Sequence, residues 1–172
     1  MKLHSCLLIL MFGSFISLGF TQQINQKTVD EKKHYEILTG KCNREGFTTC
    51  NFDSAYNAGY SAYTPDMEIL SRISSELGDV SITLVMGTWC GDSKEHVPHF
   101  YKILDMLNFD YARFTLICVD RDKKAQGLDL SALKIEKVPA FIFYRKNIEA
   151  GRIIETPEAS LEKDLLRIIA KN

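Results

Sequence analysis

Charge of one sign is what this chain most lacks: 21 Lys and Arg stand against 22 Asp and Glu, a net charge of −1. So even a balance creates no field that would gather nucleic acid, and no Arg/Lys-rich stripe interleaved with aromatics runs along the sequence. Long apolar runs are scarce too. The run CLLILMFGSFISLGF (6–20) has 15 residues, short of the roughly 20 that a membrane-spanning helix needs. There is no internal repeat and no low-complexity linker, which sets aside repeat architectures. Cysteines number five, too few for a disulfide scaffold in a chain of 172 residues.

What is present suits an ordinary globular protein of one domain plus an appendage, with 45% hydrophobic and 25% charged residues. The basic start MKLH, the 15-residue apolar run and the polar TQQINQKT after it read as a secretory signal over residues 1–21. Ser17 and Gly19 supply the small side chains a cut requires. The alternative is an uncleaved anchor, in which case the membrane is met through this segment alone. Either way the chain is expected to be exported, to a periplasmic or extracellular space. Export permits disulfides, and four cysteines follow the segment: Cys42, Cys50, Cys90 and Cys118.

Residues 22–64 read as an N-terminal helical extension. HYEILTG (34–40) predicts a short helix stopped by Gly40, and Tyr56, Tyr60 and Tyr63 share one helix face, suited to packing the extension onto the main domain. Residues 65–172 form the second unit. In TPDMEILSRISSELG, Thr64 can cap a helix whose stripe is Met67, Leu70, Ile73 and Leu77. Then come a strand (80–86), a helix (93–107), a strand (113–119), a weak helix (125–134), a strand (140–144) with its hairpin partner (149–155), and a closing helix (160–172). That order predicts a mixed sheet covered by helices.

One cysteine sits at a junction of element types. In TLVMGTWCGDSKEHVP, Cys90 ends a β-rich run and stands just ahead of a helix. Unpaired N–H groups and the helix dipole there favour a thiolate, the species that attacks disulfides. Asp92 opposes this with its charge. The segment resembles the active-site segment of the thioredoxin superfamily, a buried strand followed by Trp-Cys-Gly-x-Cys/Ser and a proline-kinked helix. Trp89, Cys90, Gly91, Lys94 and Pro98 match. A second signature, KVPAFIFYRKN, is similar to the superfamily's cis-proline segment: Val138-Pro139 stands before a strand, 49 residues after Cys90. The likeness covers about residues 68–172 and leaves 22–64 outside it.

The resemblance implies a thioredoxin-like three-layer α/β/α fold with a mixed central sheet, here with the added N-terminal helical region. It implies Cys90 as the reactive thiol, Ser93 as a hydroxyl steadying it, and Trp89, Gly91, Val138 and Pro139 as the surface that holds substrate. Three residues depart from the pattern. Ser93 replaces the resolving cysteine, Asp92 replaces a proline, and Leu84 stands where thioredoxins bury a proton-relaying aspartate. A serine cannot expel a mixed disulfide, so release needs another thiol. The expected activity is monothiol disulfide exchange, with protein disulfides and an external thiol reductant as partners and no organic cofactor. The alternative is a non-catalytic module that binds peptides or proteins on the same surface. An iron–sulfur dimer of the monothiol glutaredoxin kind is disfavoured by export and by the lack of a recognisable glutathione site.

The other candidates read more plainly. Cys42 and Cys50 are suited to one structural disulfide, whose short loop would contribute roughly 2.5 kcal/mol; the sharper alternative is that one of them resolves Cys90. Cys118 in TLICV reads as a small apolar core residue. His96 and His99, beside Glu95, lack an evident third ligand and read as solvated helix residues, so no metal is expected. DRDKK (120–124) reads as a solvated turn.

Overall fold

The computed structural model describes residues 23–170. The expected signal segment lies outside them. Among the described residues no helix is long and apolar enough to cross a membrane.

Six strands form the sheet: β1 (Gln26–Val29), β2 (Glu36–Cys42), β3 (Val80–Met86), β4 (Phe114–Cys118), β5 (Ala140–Arg145) and β6 (Ile148–Ile154). They lie in the order β1-β2-β4-β3-β5-β6. Only β3 and β4 run parallel, and the helix α3 (Gly91–Met106) carries the chain between them. The other pairings are antiparallel. Sheet alternation sends Ile82, Leu84, Met86, Leu116, Cys118, Phe141 and Phe143 into one apolar cluster, and Val85, Ile117, Val119, Ala140 and Ile142 into another. The apolar stripes of α1 (Asp53–Ala62), α2 (Met67–Glu76), α3 and α4 (Leu161–Ile169) all enter the first cluster. The second is covered by Trp89, Leu128, Leu130, Leu133 and Ile135, from irregular chain.

That irregular cover corrects one expectation. Residues 125–134 form no α-helix; only a 3-10 turn occurs there, Ser131–Leu133. Gly127 at φ +74 and Lys134 at φ 50 interrupt any helical run.

A second correction falls at 34–40. HYEILTG is not a helix; Glu36–Cys42 is a strand, paired with β1 on one side and β4 on the other. Apolar Ile37 and Leu38 are buried by a sheet with cover on both faces, and such a strand reads as a short continuous apolar run. The N-terminal region is therefore a β-hairpin followed by a 3-10 segment (Arg44–Thr49) and α1. Its tyrosines do turn inward. Tyr56 packs 5.8 Å from Tyr101 of α3, Tyr60 donates to Asp105 at 2.7 Å, and Tyr63 stacks on His99 at 4.1 Å.

The cap of α2 also moves. Asp66, not Thr64, accepts from the N–H groups of Glu68 and Ile69, at 3.0 and 3.2 Å. Met67 consequently precedes the buried stripe and is 61% exposed; Ile69, Leu70 and Ile73 carry the packing.

Candidate functional site

The site grows from the end of β3. Met86 is the last strand residue, and the chain then turns through Gly87, Thr88 and Trp89 into α3. Backbone and side-chain bonds hold this turn. Cys90 N–H donates to Gly87 O at 2.9 Å, and the buried Thr88 hydroxyl oxygen accepts from Leu38 N–H of β2 at 3.2 Å. Cys90 is the N-cap residue of α3, with extended backbone (φ −84, ψ 134), and its own carbonyl accepts from Lys94 N–H at 3.1 Å. Its sulfur thus stands at the end of a 16-residue helix whose first N–H groups have no side-chain cap. Pro98 lies inside the helix without ending it.

The second segment arrives from β5. The Val138–Pro139 peptide bond is cis, and Pro139 O accepts from Glu155 N–H at 2.8 Å, which ties it to β6. Val138 O accepts the thiol proton of Cys90 at 3.2 Å. Cys90 and Val138, 48 positions apart in sequence, are thereby in direct contact. Cys90 is 9% exposed.

Trp89 walls the site. Its indole N–H donates to Val119 O at 2.8 Å, at the end of β4. The ring lies over Gly87 so closely that an added Cβ there would stand 2.6 Å from it, which explains why a glycine serves. The Arg121 guanidinium sits over the ring, 4.7 Å from its centre. Arg121 was absent from the expected site because DRDKK looks like a solvated turn. Its Nε donates to Asp30 at 2.7 Å, and Asp30 is 2% exposed. Nothing in the spacing of Asp30, Trp89 and Arg121 announces that they meet; a buried carboxylate on the N-terminal hairpin becomes visible only once β1 and β2 join the sheet.

Ser93 is fully buried in the first turn of α3, and its hydroxyl oxygen accepts from Gly87 N–H at 3.4 Å. It braces the turn beneath Cys90, while the Cys90 thiol proton goes to Val138 O. Gly91 is exposed at the helix start. Leu84 is fully buried, opposite Leu116 and Phe141, so the interior beneath the site is apolar.

The remaining thiols lie elsewhere. Cys42, Cys50, Cys90 and Cys118 are all free, so the expected Cys42–Cys50 disulfide is not formed. Cys42 belongs to the first apolar cluster and Cys90 to the second, with the sheet between them. Cys42 is therefore not in place to resolve Cys90, and Cys50 packs against the same first cluster. Burial pushes the Cys118 thiol well above its ordinary range, and burial raises Cys50 as well.

Of the two histidines in α3, His96 is buried rather than solvated, and His99 is half-buried. His96 is 7% exposed with Nε2 unpartnered, and His99 is stacked on Tyr63. Burial, followed by the neighbouring His96, lowers His99. Among the described residues no three His, Cys, Asp or Glu side chains gather as a metal site.

No family model matches the chain. Over 97 residues it is 27% identical to a protein named "Thioredoxin O, mitochondrial" from Oryza sativa subsp. japonica, a match covering 56% of this chain. The chain spans about half the length of that relative, 53%. Among solved structures, it resembles a protein of unknown function from Pseudomonas aeruginosa at 13% identity, with a TM-score of 0.55 over 76% of this chain and 92% of that one. Mitochondrial thioredoxin 3 from Saccharomyces cerevisiae, at 23% identity, covers 62% of this chain and 96% of its own, with a TM-score of 0.37. The fold is thioredoxin-like. Its unit is the β3-α3-β4 crossover with the β5-β6 hairpin and α4, and the N-terminal hairpin extends the sheet by two strands at the β4 edge.

Proposed function

We propose that this thioredoxin-like protein is an exported thiol-disulfide exchange protein working through one thiol, Cys90. The observation that carries the reading is the contact between Cys90 at the start of α3 and the Val138–Pro139 corner. In the exchange, Cys90 gives its proton to solvent and leaves Val138 O. The thiolate attacks one sulfur of a substrate disulfide R–S–S–R′. A Cys90–S–S–R bond forms, the old S–S bond breaks, and R′–S⁻ leaves and takes up a proton. An external thiol R″–SH then attacks the mixed disulfide, which frees Cys90 and yields R–S–S–R″. No residue beside Cys90 does this second step, because Ser93 offers only a hydroxyl. Val138 O, once released from the thiol, and Pro139 flank the space where an extended substrate lies, with Trp89 on the other side.

The same geometry has a feature that favours the second reading, a peptide-binding module without turnover. Cys90 is 9% exposed and its thiol proton is already bonded to Val138 O. Turnover of a peptide–glutathione mixed disulfide with excess external thiol separates the two. Exchange that disappears in Cys90→Ser supports the first reading; wild-type rates equal to those of Cys90→Ser, with peptide still bound, support the second.

A further inference from the structure

The N-terminal hairpin reaches the active-site rim through one side chain. Asp30 opens the β1–β2 turn: its Oδ1 accepts from Lys32 and Lys33 N–H at 2.9 and 2.8 Å, and its backbone closes onto Tyr35 and His34. The other carboxylate oxygen, Oδ2, accepts from Arg121 Nε at 2.7 Å. The guanidinium, 28% exposed on its side chain, lies on the outer part of the Trp89 wall, 4.7 Å from the ring centre. An ion pair with one fully buried partner is far less screened than a surface pair, and a cation on an indole face is held by the ring's quadrupole. The indole thus has three contacts: Gly87 against the ring, Val119 O at its N–H, and Arg121 over the ring. The first two belong to the thioredoxin-like unit. The third depends on the added hairpin.

We propose that Asp30 and Arg121 are positioning residues for the Trp89 wall, so that the N-terminal hairpin sets how substrate is gripped beside Cys90. This rests on the exchange reading for its consequence, while the placement of Trp89 stands apart from it. Arg121 does not touch the reacting sulfur. Its loss weakens substrate binding and leaves the chemical step alone.

The chain contains a single tryptophan, so its fluorescence reports Trp89 by itself. Acrylamide quenching and the emission maximum are measured for the wild-type chain, Arg121→Ala, Arg121→Lys and Asp30→Asn, each checked for folding by circular dichroism. The expected result is a red-shifted, more readily quenched Trp89 in Arg121→Ala, a smaller change in Asp30→Asn, and partial recovery in Arg121→Lys. With the peptide–glutathione mixed disulfide, KM in Arg121→Ala rises about threefold to tenfold at unchanged kcat. Should Arg121→Ala fail to fold, Arg121→Lys and Asp30→Asn decide. Quenching identical to wild type in every folded variant overturns the proposal. So does a loosened Trp89 with KM untouched in a chain that turns over. If the wild-type chain shows no exchange, the exchange reading fails, and the quenching result alone still upholds or overturns the placement of Trp89.

Discussion

Cys90 and Cys118 stand at the ends of neighbouring strands, since Met86 pairs with Cys118 and Cys90 follows four residues later. Their surroundings differ in every respect that governs sulfur chemistry. Cys118 is the last residue of β4, fully buried, facing the cluster where the four described α-helices pack. Its thiol is held neutral by burial. Cys90 is past the strand end, on the opposite face, at a helix start, with the Val138–Pro139 corner beside it. The helix-covered face holds the fold together, and the other carries, among the described residues, one cysteine, where the start of α3 meets the Val138–Pro139 corner. A cavity of about 340 Å³ lined by Arg44, Tyr101, Tyr111 and Phe114 also lies on the helix-covered side, but Arg44 is already bonded twice to Asp105 at 2.9 Å. Strand parity accounts for Cys118 alone: one residue's shift along β4 would turn it to the face where Cys90 lies, whereas Cys90 owes its place to the strand-to-helix junction.

Substitutions can break this contrast. The largest effect is expected at Cys90. Cys90→Ala should cut disulfide exchange by about a thousandfold or more, because no other thiol among the described residues faces the site, while the unfolding midpoint in urea stays near wild type. An exchange rate above a tenth of wild type would mean that another cysteine works. On the helix-covered face the order reverses. Leu84→Ala empties a fully buried position between Leu116 and Phe141, and should cost about 2–5 kcal/mol in urea unfolding.

Cys118→Ser should cost about 1–3 kcal/mol, since it sets a hydroxyl in an apolar interior, with exchange activity retained. Loss of exchange in a folded Cys118→Ser chain would refute the separation of the two faces.

The smallest effect concerns acid. Burial raises the Asp105 carboxyl, but bonds from Arg44, Tyr111 and Tyr60 outweigh this and hold it below its ordinary value. A depressed folded value means that the stabilisation is complete above the unfolded aspartate value of about 3.9 and is lost as pH falls through the folded one. Asp105→Asn should therefore lose about 1 kcal/mol at neutral pH and show a flatter stability curve below about pH 4. A curve parallel to wild type would assign the acid response elsewhere.

Much of the fold could be read along the chain because its signals are local. The runs VSITLVM and AFIFY are strands bounded by turns, and Gly91–Met106 carries its apolar residues at helical spacing. HYEILTG deceived because a strand covered on both faces loses its alternation, and 125–134 deceived because left-handed residues are silent in a periodicity. Of the site, Cys90, Ser93, Trp89, Val138 and Pro139 were within reach because their spacing resembles a known segment. Asp30 and Arg121 were not, because their contact is 91 positions long and depends on a hairpin read as helix. Ser93 was legible as a position but not as a bond: its hydroxyl serves Gly87.

The most direct test of the central claim is to trap the intermediate. The reduced chain is mixed with a peptide–glutathione disulfide, quenched in acid, and each cysteine is mapped by mass spectrometry without reduction. The account predicts a mixed disulfide on Cys90 alone, which persists until an external thiol is added. No adduct on Cys90, or an adduct that resolves into an internal disulfide with Cys42 or Cys50, would contradict it.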